Sequence, residues 1–440
     1  MALKKVLIIS PYFPPSNAAD MQRIRMSLPF FTEYCWEAEV VCVDKAYSDL
    51  NTDELLLQSI PKNIIVHTVN ALSKKYTSKF GLGSLALRSL WFYKQKVNQL
   101  LKTKKYDLIY FSTTQFPLCV LGAYWKRKFK IPYIIDMQDP WHSTYYQDKP
   151  KNERPAKYWF SYRLNKYLEP IAMKKVDGLI SVSTAYIKTL QERYPNTKSI
   201  PTATITFGAF DKDFEIADKY KLNVPSAIKR SENSVNLVYV GRGGYDMQGA
   251  SILLFKSFKK GLEKYPEAFK RIKLHFLGSS YAPAGMGKAS IKPIADEMGI
   301  GDYVVEQTDR ITFYQTLNTL KAADILFIPG SDDPQYTASK IYPYLMAQKP
   351  LISIFHAESS ATKIIQECNA GLPLTFDMPE EIIIKNIQDY IIAVMDETSK
   401  ARVITLPESF EKYSAKNMTR LQVELFNLTV QTTDSSLHSE

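Results

Sequence analysis

SDDPQYTASKIYPYLMAQKPLISIFH, residues 331–356, holds a polar turn, a helix and a buried strand in that order. Ser331-Asp332-Asp333-Pro334 is turn chemistry, and Tyr336, Thr337 and Ser339 lead a row of hydroxyl groups up to a single cation, Lys340. Ile341 to Ala347 is apolar at helical spacing until Gln348-Lys349-Pro350 stops it. LISIF (351–355) is a continuous apolar run apart from one serine, the pattern of a strand buried on both faces of a parallel sheet. Upstream, ADILFIP (323–329) has the same character. The motif therefore joins the carboxyl end of one strand to a helix N-terminus. Anions bind at such junctions in open α/β sheets, because unpaired backbone N–H groups and the helix dipole both favour negative charge. Pro343 sets where the helix starts: its ring clashes with a carbonyl four residues back, so it fits only near a first turn. It also pushes the residue before it out of the helical region. The helix is expected to begin no earlier than Ser339, with Thr337 or Ser339 as its cap and Lys340 on the first turn. The plain alternative is a capped helix whose lysine is merely solvated.

The same alternation of strand and helix runs outward in both directions. KKVLIIS (4–10) reads as a strand, PYFPPSNAAD as a Pro-rich loop, 21–34 as a helix and AEVVCVD (38–44) as a second strand. No G-x-G-x-x-G follows the first strand, so a dinucleotide site is unsupported although Asp44 closes the second. Further strands are expected at 64–67, 106–112, 132–137, 177–183 and 202–208, with helices over about 85–103, 115–127 and 154–175. NLVYVG (236–241) restarts the pattern, which continues through strands at 273–279 and 303–307 and helices at 248–264, 288–298 and 312–322. Helices over 380–397 and 408–427 end the series. Strands alternating with helices predict doubly wound parallel sheets. The expected fold class is α/β, two Rossmann-like doubly wound domains facing a cleft. The expected boundaries are a first domain over 1–209, a charged linker over 210–234 and a second domain over 235–404. A terminal helix over 405–427 is expected to pack back on the first domain, with a disordered tail over 428–440.

A chain of 440 residues with 45% hydrophobic content can fill two cores. No apolar run approaches the length of a membrane span, and the apolar stretch within Met1 to Ser10 is too short for a signal peptide. Cys35, Cys42, Cys119 and Cys368 have no metal-type spacing and read as thiols of a reducing compartment. These features make a cytoplasmic protein the expectation. The net charge of +11 is uneven: residues 1–205 carry 30 Lys/Arg against 16 Asp/Glu, while the remainder carries 26 against 29. A basic first half beside a near-neutral second half points to an anionic partner for the first half alone. WKRKFK (125–130) and the run 149–175 interleave cations with Trp, Tyr and Phe, as suits a lipid headgroup region, although a solvated helix is an equal reading. Nucleic acid is disfavoured, since no recognised module appears.

Taken together, SPYFPPSNAADMQR (10–23), DMQDPW (136–141), VGRGG (240–244), TDRI (308–311) and YTASKIYPYLMAQKPLI (336–352) resemble the bacterial family 4-like glycosyltransferases of the GT-B fold. The resemblance covers nearly the whole chain. It implies a donor site on the second domain comprising Gly241, Arg242, Gly243, Asp309, Arg310, Tyr336, Thr337, Ser339 and Lys340. It implies an acceptor loop on the first domain with Pro14, Ser16, Asn17 and Arg23. Two departures stand out. The family's paired donor-site glutamates fall on Gln335 and Pro343, and its lysine partner for Arg242 falls near Met247-Gln248-Gly249.

A departing nucleoside diphosphate gains negative charge, which fixed cations and N–H dipoles stabilise. Arg242, in a Gly-rich turn, and Lys340, at a helix start, fit that need; a surface arginine is the bland reading of the first. No carboxylate cluster suggests a metal, so neither metal nor cofactor is expected, the nucleotide sugar being a substrate. Asp136, Asp139 and His142 gather in DMQDPWH, where Asp139 or His142 can take a proton from an acceptor hydroxyl; a turn cap and a surface histidine are the bland readings. The function expected is transfer of a sugar, with retention, from a nucleotide sugar to a growing lipid-linked surface glycan, as in polysaccharide or lipopolysaccharide biosynthesis. The protein is expected to be peripheral on the inner face of the membrane. The alternative is a catalytically silent partner of the same fold, motivated by the missing glutamates. A sugar-nucleotide epimerase would need a carboxylate set that is not in view.

Overall fold

Each apolar run quoted above forms a parallel strand. The computed structural model describes residues 3–437 apart from 49, 145, 146, 148, 149, 152, 153, 155–157, 232, 281, 283, 332–339 and 397–403. The chain divides into two compact units, residues 1–208 with 413–440, and residues 209–412.

In the first unit the strands are β1 (Lys4–Ile9), β2 (Trp36–Val43), β3 (Ile65–Val69), β4 (Leu108–Ser112), β5 (Tyr133–Met137), β6 (Gly178–Ser181) and β7 (Thr202–Thr204). They pair in the order β3-β2-β1-β4-β5-β6-β7, all parallel. The helices are α1 (Gln22–Ser27), α2 (Lys74–Thr77), α3 (Leu85–Thr103), α4 (Val120–Phe129), α5 (Tyr158–Met173), α6 (Thr184–Arg193) and α15 (Ala415–Leu437). Leu7, Ile9, Ile109, Phe111, Trp125 and Tyr133 are fully buried in one apolar cluster between sheet and helices. The second unit holds α7 (Asp211–Lys219), β8 (Val235–Val240), α8 (Gln248–Lys264), α9 (Pro266–Phe269), β9 (Ile272–Leu277), α10 (Lys292–Glu297), β10 (Val304–Gln307) and α11 (Phe313–Ala322). It continues with β11 (Ile325–Pro329), α12 (Ile341–Met346), β12 (Leu351–Phe355), α13 (Ser360–Glu367), β13 (Leu372–Thr375) and α14 (Glu380–Met395). Its sheet runs β10-β9-β8-β11-β12-β13, again all parallel.

In both sheets the winding reverses beside the first strand, at β1/β4 and at β8/β11. The connections on either side leave in opposite directions there and open a crevice at the carboxyl ends of the strands.

Several expected boundaries move. The supposed linker contains α7, with Asp213, Ile216 and Ala217 buried and Tyr314 Oη of α11 donating to Asp213 Oδ1 at 3.4 Å. Its apolar positions are too few among charges to register as a periodic pattern. The expected helix 21–34 is only α1, followed by a 3-10 turn over Phe31–Tyr34, because Pro29 interrupts it. The terminal helix starts later and runs further than expected, through Leu437 instead of stopping at 427. Thr429, within the supposed tail, is fully buried. α15 packs within the first unit: Phe426 meets Trp36 edge-on at 5.4 Å and Tyr110 at 5.0 Å, and Lys4 Nζ donates to Asn427 Oδ1 at 2.9 Å.

Candidate functional site

In the second unit, three loops at the carboxyl ends of β8, β9 and β10 are stitched together by backbone bonds. Gly241 N donates to Leu277 O at 2.8 Å, Gly243 N to Ser279 O at 2.8 Å and Gly278 N to Gln307 O at 2.8 Å. Glu306 braces them from behind, accepting from Ser279 Oγ at 2.5 Å and from the backbone N–H groups of Ser290, Ile291 and Lys292. Ser290 Oγ in turn donates to Gly243 O at 2.8 Å. α12 is tied to the same place, since Tyr344 Oη accepts from Val240 N at 2.8 Å and donates to Val240 O at 3.2 Å. Lys340, immediately before α12, therefore lands beside the Gly-rich turn, its Nζ 5.7 Å above the Tyr239 ring. A Cβ at residue 241 would overlap both Lys340 Nζ and the Tyr239 hydroxyl, so a larger residue there would push the ammonium from its place.

Three cations share this region. Burial, and then the charges of Arg242 and Arg310, push the Lys340 ammonium down to about 8. Like charges held together repel one another and attract an anion. Arg310 lies against Gly278, whose Cβ position is 3.6 Å from Arg310 Cα. Asp309 Oδ1 accepts from Gly285 N at 2.9 Å. Tyr336, Thr337 and Ser339 lie outside the described residues.

In the first unit the polar groups converge at the β1/β4 crevice. Arg23 Nε meets Asp136 Oδ2 at 2.7 Å, both side chains wholly buried, and the guanidinium also donates to Ile205 O at 2.7 Å and Thr206 O at 3.1 Å. Arg23 is thus a pillar joining α1, β5 and the segment just after β7, with its side chain wholly buried. Pro14 and Ser16 are buried too, Ser16 bridging to Thr52, while Asn17 donates its N–H to Asn51 O at 2.9 Å. Gln138 Nε2 links Asp136 Oδ2 at 2.9 Å, Ser112 Oγ at 3.0 Å and Asp20 O at 3.2 Å. Asp20, which nothing in the sequence singles out, is buried and its Oδ2 accepts from Thr113 Oγ1, Thr114 N and Thr114 Oγ1 at 3.0–3.1 Å. Burial raises its carboxyl despite those bonds.

Asp139 is next to this network. Its side chain reaches solvent, yet desolvation by the surrounding protein, with the Asp20 charge added, pushes its carboxyl up to about 6. His142 is held differently. Its N–H donates to Glu169 Oε2 at 2.9 Å, its carbonyl accepts from Arg193 Nη1 at 3.1 Å, and its ring packs 4.7 Å from Tyr162. Burial, then Arg193, lowers the imidazole below its ordinary value and so favours the neutral ring. Glu169, also paired with Arg193 and Tyr194, and Asn165, bonded twice to Trp141, fix the loop that carries Asp139 from α5. Neither has a sequence signal, because each is one polar residue on an otherwise amphipathic helix.

Residues 64–204, all within the first unit, match the family model described as Glycosyltransferase Family 4. No curated protein matches the chain in sequence. Among solved structures, the N-terminal domain of Candida albicans trehalose-6-phosphate phosphatase is similar at a TM-score of 0.55 and 14% identity, over 99% of this chain and 96% of that one. HepE of Anabaena, solved with UDP and glucose, is similar at a TM-score of 0.51 and 14% identity, over 99% and 100%. WaaG, a glycosyltransferase involved in lipopolysaccharide biosynthesis, is similar at a TM-score of 0.50 and 14% identity, over 98% of each chain. In sequence over residues 64–204 and in its two parallel α/β sheets, the chain resembles the family 4-like glycosyltransferases of the GT-B fold.

Proposed function

We propose that the protein is a glycosyltransferase that moves a sugar, with retention, from a nucleotide sugar to a lipid-linked surface glycan. The observation that carries this reading is the gathering of Lys340, Arg242 and Arg310 at the reversal point of the second sheet. Such a cluster matches a diphosphate in charge, and it strengthens as negative charge grows on the leaving group. The cations compensate that charge without a metal, so EDTA should leave activity unchanged. HepE, similar in fold, was solved with UDP and glucose, which supports a nucleotide sugar as donor. In the first unit, Asp139 is the group assigned to the reacting acceptor hydroxyl, and His142 has a structural place beside it.

The lipid-linked acceptor is supported by one face of α5. Trp159, Arg163, Tyr167 and Ile171 fall at successive four-residue steps, with Trp159 64% and Tyr167 69% exposed. Arg163 lies over the Trp159 ring at 5.5 Å. Among the described residues no helix is long and apolar enough to cross a membrane, so attachment would be peripheral.

A panel of UDP-, GDP- and ADP-sugars, read by thermal shift and by release of free sugar, tests the assignment. Stabilisation and slow hydrolysis with one donor are expected. Stabilisation without hydrolysis favours the catalytically silent reading, for which Pro343 on the first turn of α12 is the argument, since no carboxylate stands there to hold ribose hydroxyls. No stabilisation by any donor or nucleoside diphosphate would remove the proposal.

A further inference from the structure

Arg242 is engaged within its own unit. Its Nη1 and Nη2 donate to Asp246 Oδ1 and Oδ2 at 2.7 and 2.6 Å, a two-pronged pair with the 3-10 turn Tyr245–Met247 that leads into α8. The guanidinium folds back across Gly244, where a Cβ would overlap Arg242 Nη1 and crowd Asp246 Oδ1. Both side chains remain about one-third exposed, at 28% and 31%. A fork of that kind is the geometry in which arginine also receives a phosphate. The pair lies within one loop and is open to solvent on about a third of each side chain, so a dianionic or trianionic ligand, carrying more charge than one carboxylate, can displace it. Lys340, by contrast, makes no ion pair among the described residues, although it lies in the field of Arg242 and Arg310.

We propose that Asp246 is a resident carboxylate that competes with a nucleoside diphosphate for the Arg242 fork, so that the spent diphosphate leaves as the Arg242–Asp246 pair closes again. The inference rests on the donor-site reading above and adds to it a residue that sets how long the product stays. Lys340 and Arg310 receive the ligand, Arg242 exchanges its partner, and the reverse exchange lowers the barrier to release. No bond is made or broken beyond the ion pairs.

The test is titration calorimetry and stopped-flow dissociation of UDP, with GDP and ADP as further probes, at 0.15 M salt, on wild type, Asp246→Asn, Arg242→Ala and the double variant. Asp246→Asn should bind about 2- to 5-fold more tightly, mostly through slower dissociation, the scale set by losing one partly exposed pair. That gain should vanish on the Arg242→Ala background, because nothing remains to compete for. Gly244→Ala, which keeps both charges but forces the guanidinium off the fork, should tighten binding by a smaller factor. Unchanged or weaker binding in Asp246→Asn with an unaltered melting temperature would overturn the inference, since Asp246 would then orient Arg242. The same gain persisting without Arg242 would overturn it as well, as general charge removal. If Arg242→Ala alone binds as wild type does, or wild type binds none of the three nucleotides, the donor-site reading itself fails and the inference goes with it.

Discussion

Lys340 has its ammonium lowered to about 8, against 10.5 in an unfolded chain, chiefly by burial and then by Arg242 and Arg310. A lowered lysine loses its proton as pH rises through the folded value, so the charge that attracts a diphosphate fades above about 8. Nucleoside diphosphate affinity should therefore fall between pH 7.5 and 9.5, and binding near pH 8.5 should draw a proton from the buffer. Calorimetry in two buffers of different ionisation heat checks both statements. Lys340→Ala and Arg242→Ala should each cost about 1.5–3 kcal/mol of that binding, the worth of a charge-assisted hydrogen bond. Asp139 runs the opposite way. Its carboxyl is raised to about 6 by desolvation and by Asp20, so the basic form accumulates as pH rises through that value. Turnover should climb between about pH 5 and 7, and Asp139→Asn should lower turnover far more than it weakens donor binding. Equal losses in both would make Asp139 a turn residue instead.

At the scale of elements, α5 does two things with its two faces. Inward, Asn165 and Glu169 hold the loop of Trp141 and His142; outward, Trp159 and Tyr167 are exposed. Of the aromatics that make this helix look amphipathic in the sequence, Tyr162 turns inward onto His142, while Tyr167 joins the outer stripe. α15 is the second such case. Its Phe426 is fully buried among Phe31, Trp36 and Tyr110, so the C-terminal helix completes the core of the first unit. Phe426→Ala should destabilise that unit by about 3–5 kcal/mol through lost burial and the cavity left behind. The melting transition is the measurement, and a shift of less than 1 °C would argue that α15 is dispensable.

Across the whole molecule, charge divides as sharply as the fold does. The 30 Lys/Arg against 16 Asp/Glu of residues 1–205 belong to the unit that carries α5, and the remainder of the chain is slightly acidic. Each cation near an anionic lipid surface contributes about 1 kcal/mol, which fades within a Debye length of roughly 10 Å at 0.1 M salt. Sedimentation with liposomes should show binding that requires anionic lipid and is lost as salt rises, and Trp159→Ala with Arg163→Glu should weaken it. A protein that ignores anionic liposomes at low salt would leave the donor site standing and move the acceptor into solution.

The alternation of apolar runs with helical spacing was enough to determine two parallel α/β sheets, because a strand buried on both faces has little choice of composition. Arg242 beside its glycines and Lys340 before Pro343 were legible for a related reason: backbone constraints at turns and helix starts act locally. Other features depended on contacts between residues far apart in the chain. α7 was hidden because its few apolar residues matter only against α11, and the extension of α15 because Thr429 is buried only once the helix lies on the sheet. Arg23 read as a loop cation until its pairing with Asp136, 113 positions away, removed it from solvent. Asp20, Gln138 and Glu169 carry no local pattern, since a buried polar residue is defined by the partners that satisfy it. Asp246 is an ordinary acidic residue in sequence, and only the fold of Arg242 back across Gly244 gave it a partner.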